Sequence, residues 1–266
     1  MNKYLKLMMV AVVAVMSIAS CKKDQVEDPI TESSCKISTI DVLYNGAPDG
    51  KLKFAYDDLG RIKSYTDDAG FVTPYTYDGD KITVDEGVET FIFSVTGGKV
   101  VKLAIKGSTN TEDYTYDAAS YLTTITDFRG GTLNFTCNLT YTNGNLTKLV
   151  ETYTGGDTYT TIYEYSADLA TTTKLYVDPI IDAVGTDLPS TYFGTLSKNL
   201  LVKSTRTSTG QPTTYSKINN FIYTKDASNK CISATRTGIS TTYNNGVVQG
   251  TPITTTEKLT FAYDCK

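Results

Sequence analysis

The sequence predicts an all-β fold: an antiparallel meander of about eight tyrosine-rich hairpins that forms one large curled or barrel-like sheet. The 266 residues include 20 tyrosines and many threonines, and both residue types favour the half-buried, pleated environment of a strand. A short motif with alternating aromatic residues also recurs along the chain. Its spacing of roughly 20 residues suits one hairpin per copy.

The first 20 residues have the form of a lipoprotein signal peptide. Lys3 and Lys6 supply a basic start, and the apolar run over residues 7–15 is too short to span a bilayer. An isoleucine and two small residues then precede Cys21. We therefore predict a signal peptide over residues 1–20 and a lipid on Cys21, with a plain secretory signal as the alternative.

Residues 21–34 are predicted to form the lipid anchor and a flexible tether. They are polar and charged, and they show no apolar periodicity that could support a core element. Lys22, followed by Asp24, Glu27 and Asp28, resembles the segment after the cysteine in lipoproteins displayed on the surface of Gram-negative gut anaerobes. This resemblance implies an outer-membrane lipoprotein exposed at the cell surface, with a periplasm-facing location as the alternative. Residues 35–266 are then predicted to form a single β-repeat domain.

The repeated motif is an aromatic residue, any residue, tyrosine and aspartate, followed by a polar turn and a basic or amide residue before an aliphatic one. Alternate aromatic residues place bulky rings on one face of a strand, while Asp, Gly and Asn suit tight turns. One copy cannot bury its aromatic face alone, so neighbouring hairpins must add edge to edge. The copies lie at Phe54–Ile62, Tyr75–Ile82, Phe91–Val100, Tyr114–Leu122, Leu139–Leu146, Tyr163–Tyr165, Phe221–Tyr223 and Phe261–Asp264.

The copy at Phe54–Ile62, with its Tyr-Asp-x-x-Gly-Arg core, resembles the YD repeat of Rhs-type wall and toxin-shell proteins. Together with the signal peptide, the repeat resembles a family of lipoproteins of unknown function from gut anaerobes that are described as having a porin-like β fold. Residues 192–200 also resemble part of that family. Several copies lack the Asp or the Gly-Arg, and no self-cleaving toxin core follows. The resemblance therefore implies an architecture and no activity.

We expect the outer side of the predicted sheet to face water. The positions between the alternating aromatic residues are largely Thr, Lys, Asp and Ser, whereas a strand that faces lipid needs an uninterrupted apolar outer face. A propeller of about six blades is the alternative arrangement of the same strands.

A non-repeat insert at about residues 176–201 interrupts the repeat. It contains two prolines and places apolar residues at near-helical spacing. The insert could fold over the mouth of the sheet or into its interior as a plug, which would make Tyr192, Phe193, Lys198 and Asn199 the candidate ligand-binding residues. The simpler interpretation is that it covers exposed edge strands and apolar surface.

The composition excludes several kinds of site. Histidine and tryptophan are absent, which removes the commonest general base, the commonest zinc ligand and a strong sugar-stacking ring. Acidic turns such as Asp57-Asp58 are interpreted as turn chemistry, since no calcium-binding loop matches. The net charge is −4 and the basic residues are scattered, so no nucleic-acid partner is expected. We predict no catalytic residue, no metal, no cofactor and no enzymatic activity.

The cysteines after Cys21 leave their pairing open. Cys35, Cys137, Cys231 and Cys265 could form disulfides in an exported protein, and a clasp between Cys231 and Cys265 would close the last hairpins. Free cysteines packed as small apolar residues are the alternative.

Location and architecture together lead to the predicted function. We expect a lipid-anchored outer-membrane or cell-surface protein that binds an extracellular glycan or protein ligand. The alternative is a structural or assembly subunit that docks onto another envelope protein, and a hydrolase using carboxylates alone is a third class. A binder should expose aromatic residues on a concave face, an assembly subunit should carry a large apolar patch, and an enzyme should bury acids in a cleft.

Overall fold

A computed structural model of the chain describes residues 35–170, 178–185 and 188–265. Each strand pairs antiparallel with the next along the chain. The first strand also neighbours the last, so the sheet closes into a barrel. The strands are β1 (Cys35–Tyr44), β2 (Ala47–Tyr56), β3 (Ile62–Thr66), β4 (Val72–Asp78), β5 (Lys81–Asp85), β6 (Thr90–Thr96), β7 (Lys99–Ile105), β8 (Thr111–Tyr116), β9 (Leu122–Arg129), β10 (Thr132–Thr142), β11 (Asn145–Tyr153), β12 (Thr158–Leu169), β13 (Asn199–Thr209), β14 (Thr213–Lys225), β15 (Cys231–Asn244) and β16 (Val247–Cys265).

The predicted all-β antiparallel meander is confirmed. The observed sheet is a closed barrel, which is a more specific fold than the predicted curled or barrel-like sheet. The propeller alternative is wrong, because the strands form one continuous barrel instead of separate blades. The predicted signal peptide, tether and lipidation site at Cys21 lie outside the described residues, so they stay predictions. Within the part of the chain that is described, no helix is long and apolar enough to cross a membrane, and this finding says nothing about strands.

The chain divides into two compact units. Ile37–Tyr263 contains the barrel, and in the second unit the described residues are Cys35, Lys36, Asp264 and Cys265. That second unit contains a disulfide between Cys35 and Cys265.

The remaining cysteines of the described chain do not form a disulfide. Cys137 and Cys231 are both buried. The Cys231–Cys265 clasp considered from sequence does not form, because Cys265 pairs with Cys35 at the start of the first strand.

The Asp residues of the repeated motif act as turn residues. Oδ1 of Asp57 accepts hydrogen bonds from the backbone N–H groups of Leu59 and Arg61, at 3.0 and 2.8 Å. Asp117 does the same in the β8–β9 turn, with acceptor distances of 2.9 Å. These carboxylates replace backbone partners that a tight turn leaves unsatisfied, which is the turn chemistry expected from sequence.

The second tyrosine of the motif links neighbouring strands. Six of these tyrosine hydroxyls donate to a backbone carbonyl on the preceding strand, over 2.5–2.8 Å. Val95 occupies the equivalent place in β6, where it pairs with Val100 and has no hydroxyl. The hydroxyl of Tyr141, in β10, is buried without a partner among the described residues. The bonded tyrosines are Tyr56, Tyr77, Tyr116, Tyr165, Tyr223 and Tyr263.

The alternating pattern separates the inner and outer faces of the barrel. Along β12, Tyr163 is 4% exposed, whereas its outward neighbour Ile162 is 42% exposed. The outer face carries ion pairs in half-exposed positions, such as the pair between Lys203 and Glu164 at 2.6 Å. The inward aromatic side chains belong to a buried core that receives residues from β3 to β13. The aromatic stripe near the plug end is therefore core, and the outer face carries ion pairs together with exposed apolar side chains such as Ile162 and Ile222.

The segment between β12 and β13 contributes to the barrel core. It contains a short helix, α1 (Ile180–Val184), and a 3₁₀ turn (Ser190–Phe193). Ile180, Val184 and Phe193 belong to the same buried cluster as the inward side chains of the strands. We call the described residues 178–185 and 188–198 the plug. The plug does not cover free edge strands, because a closed sheet has none.

Candidate functional site

The predicted ligand-binding residues lie at one end of the barrel, in and beside the plug. Phe193 is 0% exposed, and its ring centroid lies 5.3 Å from that of Tyr114, so it is a core residue. Tyr192 is half-buried against the same core. Lys198 is exposed, and its backbone N–H donates to the carbonyl of Gly144 over 2.9 Å.

Asn199 is used in a polar contact between strands. Its backbone N–H donates to Oδ1 of Asn145 over 2.8 Å, and Nδ2 of Asn145 donates back to Oδ1 of Asn199 over 3.0 Å. A ligand role for these four residues stays a prediction, and the structure gives Phe193 and Asn199 structural contacts that hold the plug and β13 in place.

The half of the barrel interior away from the plug contains aromatic and charged side chains, and it supplies a better candidate site. Four aromatic side chains on β10, β11, β12 and β14 form a row. Their ring centroids are separated by 5.1 Å between Phe135 and Tyr153, 5.5 Å between Tyr153 and Tyr159, and 5.7 Å between Tyr159 and Tyr215. All four sit at inward positions of their strands, in register with buried core residues such as Cys137 and Tyr163. We call this set the aromatic row.

Arg206 joins the aromatic row to a carboxylate. Its guanidinium lies 4.8 Å from the ring centroid of Tyr159, and Nε donates to the hydroxyl of Tyr215 over 2.6 Å. An Nη atom is 2.6 Å from Oε2 of Glu151. Although burial alone would lower the pKa of Arg206, the charge of Glu151 and the Tyr215 hydroxyl raise it, so the side chain stays cationic.

A second charged group lies on β8 and β9. Asp127 is 0% exposed, and it contacts Arg129 at 2.9 Å and accepts a hydrogen bond from Asn134 over 2.7 Å. Glu112 accepts a hydrogen bond from the hydroxyl of Tyr114 over 2.7 Å. Burial is the main cause that raises the pKa of the Glu112 carboxyl above its ordinary value.

This half of the interior is open to solvent. The side chain of Arg129 is 50% exposed and that of Arg206 is 28% exposed. Arg129 stands directly before the β9–β10 turn, whereas the plug bonds to the β8–β9 turn through the Ser120 carbonyl. These two turns lie at opposite ends of β9, so the charged half opens at the end away from the plug.

Stacking rings beside fixed hydrogen-bonding groups can bind a ring-shaped polar ligand. The faces of tyrosine rings accept apolar ring surfaces, while the Arg206–Glu151 pair offers both donors and acceptors. In the described part of the chain, no group of three or more Cys, Asp or Glu side chains is arranged to hold a metal ion.

Sequence reasoning missed this half of the barrel. The motif drew attention to the tyrosine beside each turn, whereas Glu151 and Arg206 lie on strands without a motif tyrosine and Tyr159 lies near the opposite end of β12 from Tyr165. The sequence did contain an indication of this site. Charged residues stand an even number of positions from the aromatic residues of the same strand, and side chains at such positions share a face.

A scan of protein-family models finds no match to this chain, and a search of curated proteins finds none either. Among solved structures, the fold is similar to that of a porin-like protein from Bacteroides uniformis ATCC 8492, whose crystal structure was determined at 2.32 Å resolution. The TM-score is 0.62 at 15% sequence identity, and the match covers 87% of this chain and 98% of that one. The chain has a porin-like β-barrel fold.

A second solved structure, TcdB2-TccC3-TEV, gives a TM-score of 0.30 at 17% identity and covers 76% of this chain and 13% of that one. A similarity at that score supports no argument. The comparisons therefore confirm the porin-like part of the resemblance seen in the sequence. The YD-repeat and lipoprotein parts stay predictions.

Proposed function

We propose that this porin-like barrel is a lipid-anchored, non-enzymatic binding protein of the outer membrane or cell surface, and that it binds an extracellular glycan in the open half of its interior. The observation that carries the proposal is the aromatic row with the Arg206–Glu151 pair beside it. A sugar ring has an apolar face that stacks on tyrosine, and its hydroxyls pair with charged groups.

Ion pairs on the outer face support the proposal that the barrel lies in water, at the end of a tether. Ion pairs such as Lys102–Asp113 and Lys203–Glu164 sit on this face with side chains between 37% and 54% exposed. Charged residues facing lipid at the middle of a membrane are costly. The plug, which fills the barrel at one end, argues further against a through-pore.

The anchor is tested by replacing Cys21 with serine in the full-length precursor. We expect the variant to leave the membrane fraction while the unaltered protein stays in it. A variant that still fractionates with membranes would contradict the lipid anchor.

The binding role is tested with a soluble protein of residues 22–266, titrated by calorimetry with a panel of polysaccharides. We expect saturable binding that Tyr159→Ala weakens by about tenfold, corresponding to about 1.4 kcal/mol of stacking and packing. The matched control is Tyr44→Ala, since Tyr44 is 44% exposed at the β1–β2 turn, away from the aromatic row.

A folded protein that binds no member of the panel would contradict the glycan proposal. Cross-linking in intact cells would then test the alternative, a structural or assembly subunit that docks onto another envelope protein. A specific cross-linked partner would support that alternative.

A further inference from the structure

We infer that the open half of the barrel selects a glycan that carries a carboxylate, and that Lys217 binds that carboxylate. The inference rests on the proposed function and adds the chemical class of the ligand. It depends on an unbalanced positive charge, on an unsatisfied buried acceptor and on a strand glycine that both side chains approach closely.

The positive charge belongs to Lys217 on β14. The strand register places Lys217 directly opposite Arg206, so two cations face one another at inward positions. Arg206 has Glu151 as its counter-ion. Among the described residues, the ammonium group of Lys217 has neither a carboxylate within 4.0 Å nor a hydrogen-bond partner.

The neighbouring inward charges do not balance Lys217. Arg236 on β15 is paired with Glu257 over 2.8 Å, so each arginine in this region already has its own carboxylate. Like charges placed directly opposite each other across strands are destabilising, and Glu151 neutralises only the Arg206 member of this pair. A bound carboxylate would neutralise Lys217.

The unsatisfied acceptor is Oδ1 of Asn219, two residues along β14 from Lys217. Asn219 is 7% exposed, and its Nδ2 donates to Oγ of Ser204 over 3.0 Å. Its Oδ1 is buried without a donor in the described structure. A buried carbonyl oxygen without a donor is unfavourable, and a sugar hydroxyl is a donor of the right kind.

Gly238 lets this acceptor approach the backbone of β15 closely. It pairs with Asn219 on one side and with Thr255 on the other. A Cβ atom at Gly238 would lie 2.8 Å from Oδ1 of Asn219, 3.1 Å from Oγ1 of Thr255 and 3.5 Å from Cε of Lys217. Its backbone is outside the left-handed region, so the glycine is needed for space and not for conformation. A glycine of this kind within a strand marks a close approach.

These three features suit one ligand chemistry. The side chains of Lys217 and Asn219 lie on the same side of Gly238, with Cε of Lys217 3.5 Å from the position of a Cβ atom there. We expect a bound anion to draw the flexible Lys217 side chain toward it, which would give a ligand hydroxyl access to Oδ1 of Asn219. A uronate sugar offers a carboxylate for Lys217, a hydroxyl for Asn219 and a ring face for the aromatic row. A neutral sugar would leave the Lys217 charge unbalanced.

The test compares a uronate oligosaccharide with its carboxyl-reduced, neutral counterpart of the same length, by calorimetry on residues 22–266. We expect the uronate to bind at least tenfold more tightly and to lose that advantage as salt is raised, because salt screens the ion pair. Lys217→Met should weaken uronate binding to the level of the neutral sugar.

Two further variants separate binding from folding. Lys148→Met is the matched control, because Lys148 is exposed on the outer face of β11, and it should leave binding unchanged. Gly238→Ala should weaken both ligands. Circular dichroism should show that each variant remains folded, and Lys217→Gln is a second variant should Lys217→Met fail to fold.

The two proposals fail in different ways. Equal binding of the charged and neutral sugars, or an unchanged preference for uronate in Lys217→Met, would overturn this inference and leave the glycan-binding proposal standing. Absence of binding to both sugars, and to every other glycan of the panel, would overturn both.

Discussion

At the scale of single residues, the tyrosine hydroxyls explain why the second aromatic position of the motif is tyrosine and not phenylalanine. The hydroxyl of Tyr223 donates to the carbonyl of Leu201 over 2.8 Å, across neighbouring strands. Burial raises the pKa of Tyr56, at the equivalent position of β2, to about 12. The Tyr56 hydroxyl therefore remains a protonated donor at neutral pH. Each hydroxyl of the set satisfies a carbonyl at the plug end of the barrel.

Removing one of these hydroxyls should lower the free energy of unfolding by the contribution of one hydrogen bond. We expect Tyr223→Phe to lower the free energy of unfolding by about 1 kcal/mol, because the Leu201 carbonyl loses its donor. Urea unfolding measures the change. The matched control is Tyr141→Phe, which removes a buried hydroxyl that has no partner among the described residues, and should be neutral or stabilising. Equal destabilisation by both substitutions would refute a hydrogen-bonding role for the hydroxyl.

At the scale of elements, the plug is held by a few polar contacts and one close approach of backbones. Asp178 is 7% exposed, and its carboxylate accepts from the backbone N–H groups of Ile180 and Ser197, over 3.0 and 2.9 Å. Thr195 N–H donates to the Ser120 carbonyl over 2.9 Å. These bonds fasten both ends of the plug, so its core side chains enter the barrel in one arrangement.

Gly194 is the tightest point of the plug. Its φ of 89° lies in the left-handed region, and a Cβ atom there would overlap the Ser120 carbonyl oxygen. We expect Gly194→Ala to lower the free energy of unfolding by roughly 2–4 kcal/mol. Gly155→Ala is the control, because Gly155 has open space around its Cβ position and no positive φ. A Gly194→Ala variant as stable as the control would show that the plug does not approach the β8–β9 turn this closely.

At the scale of the whole molecule, one covalent bond joins the first and last strands. The Cys35–Cys265 disulfide links residues 230 positions apart. Cross-linking so long a loop restricts the unfolded chain, which the loop-entropy model values at about 5 kcal/mol. A reductant should therefore lower the urea midpoint of the protein strongly.

The double variant Cys35→Ser, Cys265→Ser provides the comparison. It should unfold at the midpoint of the reduced protein and should not respond to reductant, since it lacks the Cys35–Cys265 disulfide. Burial raises the pKa of Cys231 to about 11, so this thiol is a poor nucleophile at neutral pH. A reductant effect that persists in the double variant would indicate a different pairing.

The sequence by itself determined the local features of this protein. The alternation in Tyr75-Thr76-Tyr77 predicted a strand with one buried face, and Asp57 and Asp117 predicted turns. Both depend on contacts within a few residues, because side chains alternate at a period of two and Asp bonds to backbone groups close by in sequence.

Only the tertiary structure decided which features meet. Closure of the sheet, the pairing of Cys35 with Cys265 and the burial of Phe193 in the plug join residues far apart in the chain. The candidate site depends on the same closure, since an inward Lys217 is indistinguishable in sequence from an outward Lys148 until the register is known. Local alternation specifies two faces, and only the closed barrel determines which of them is inside.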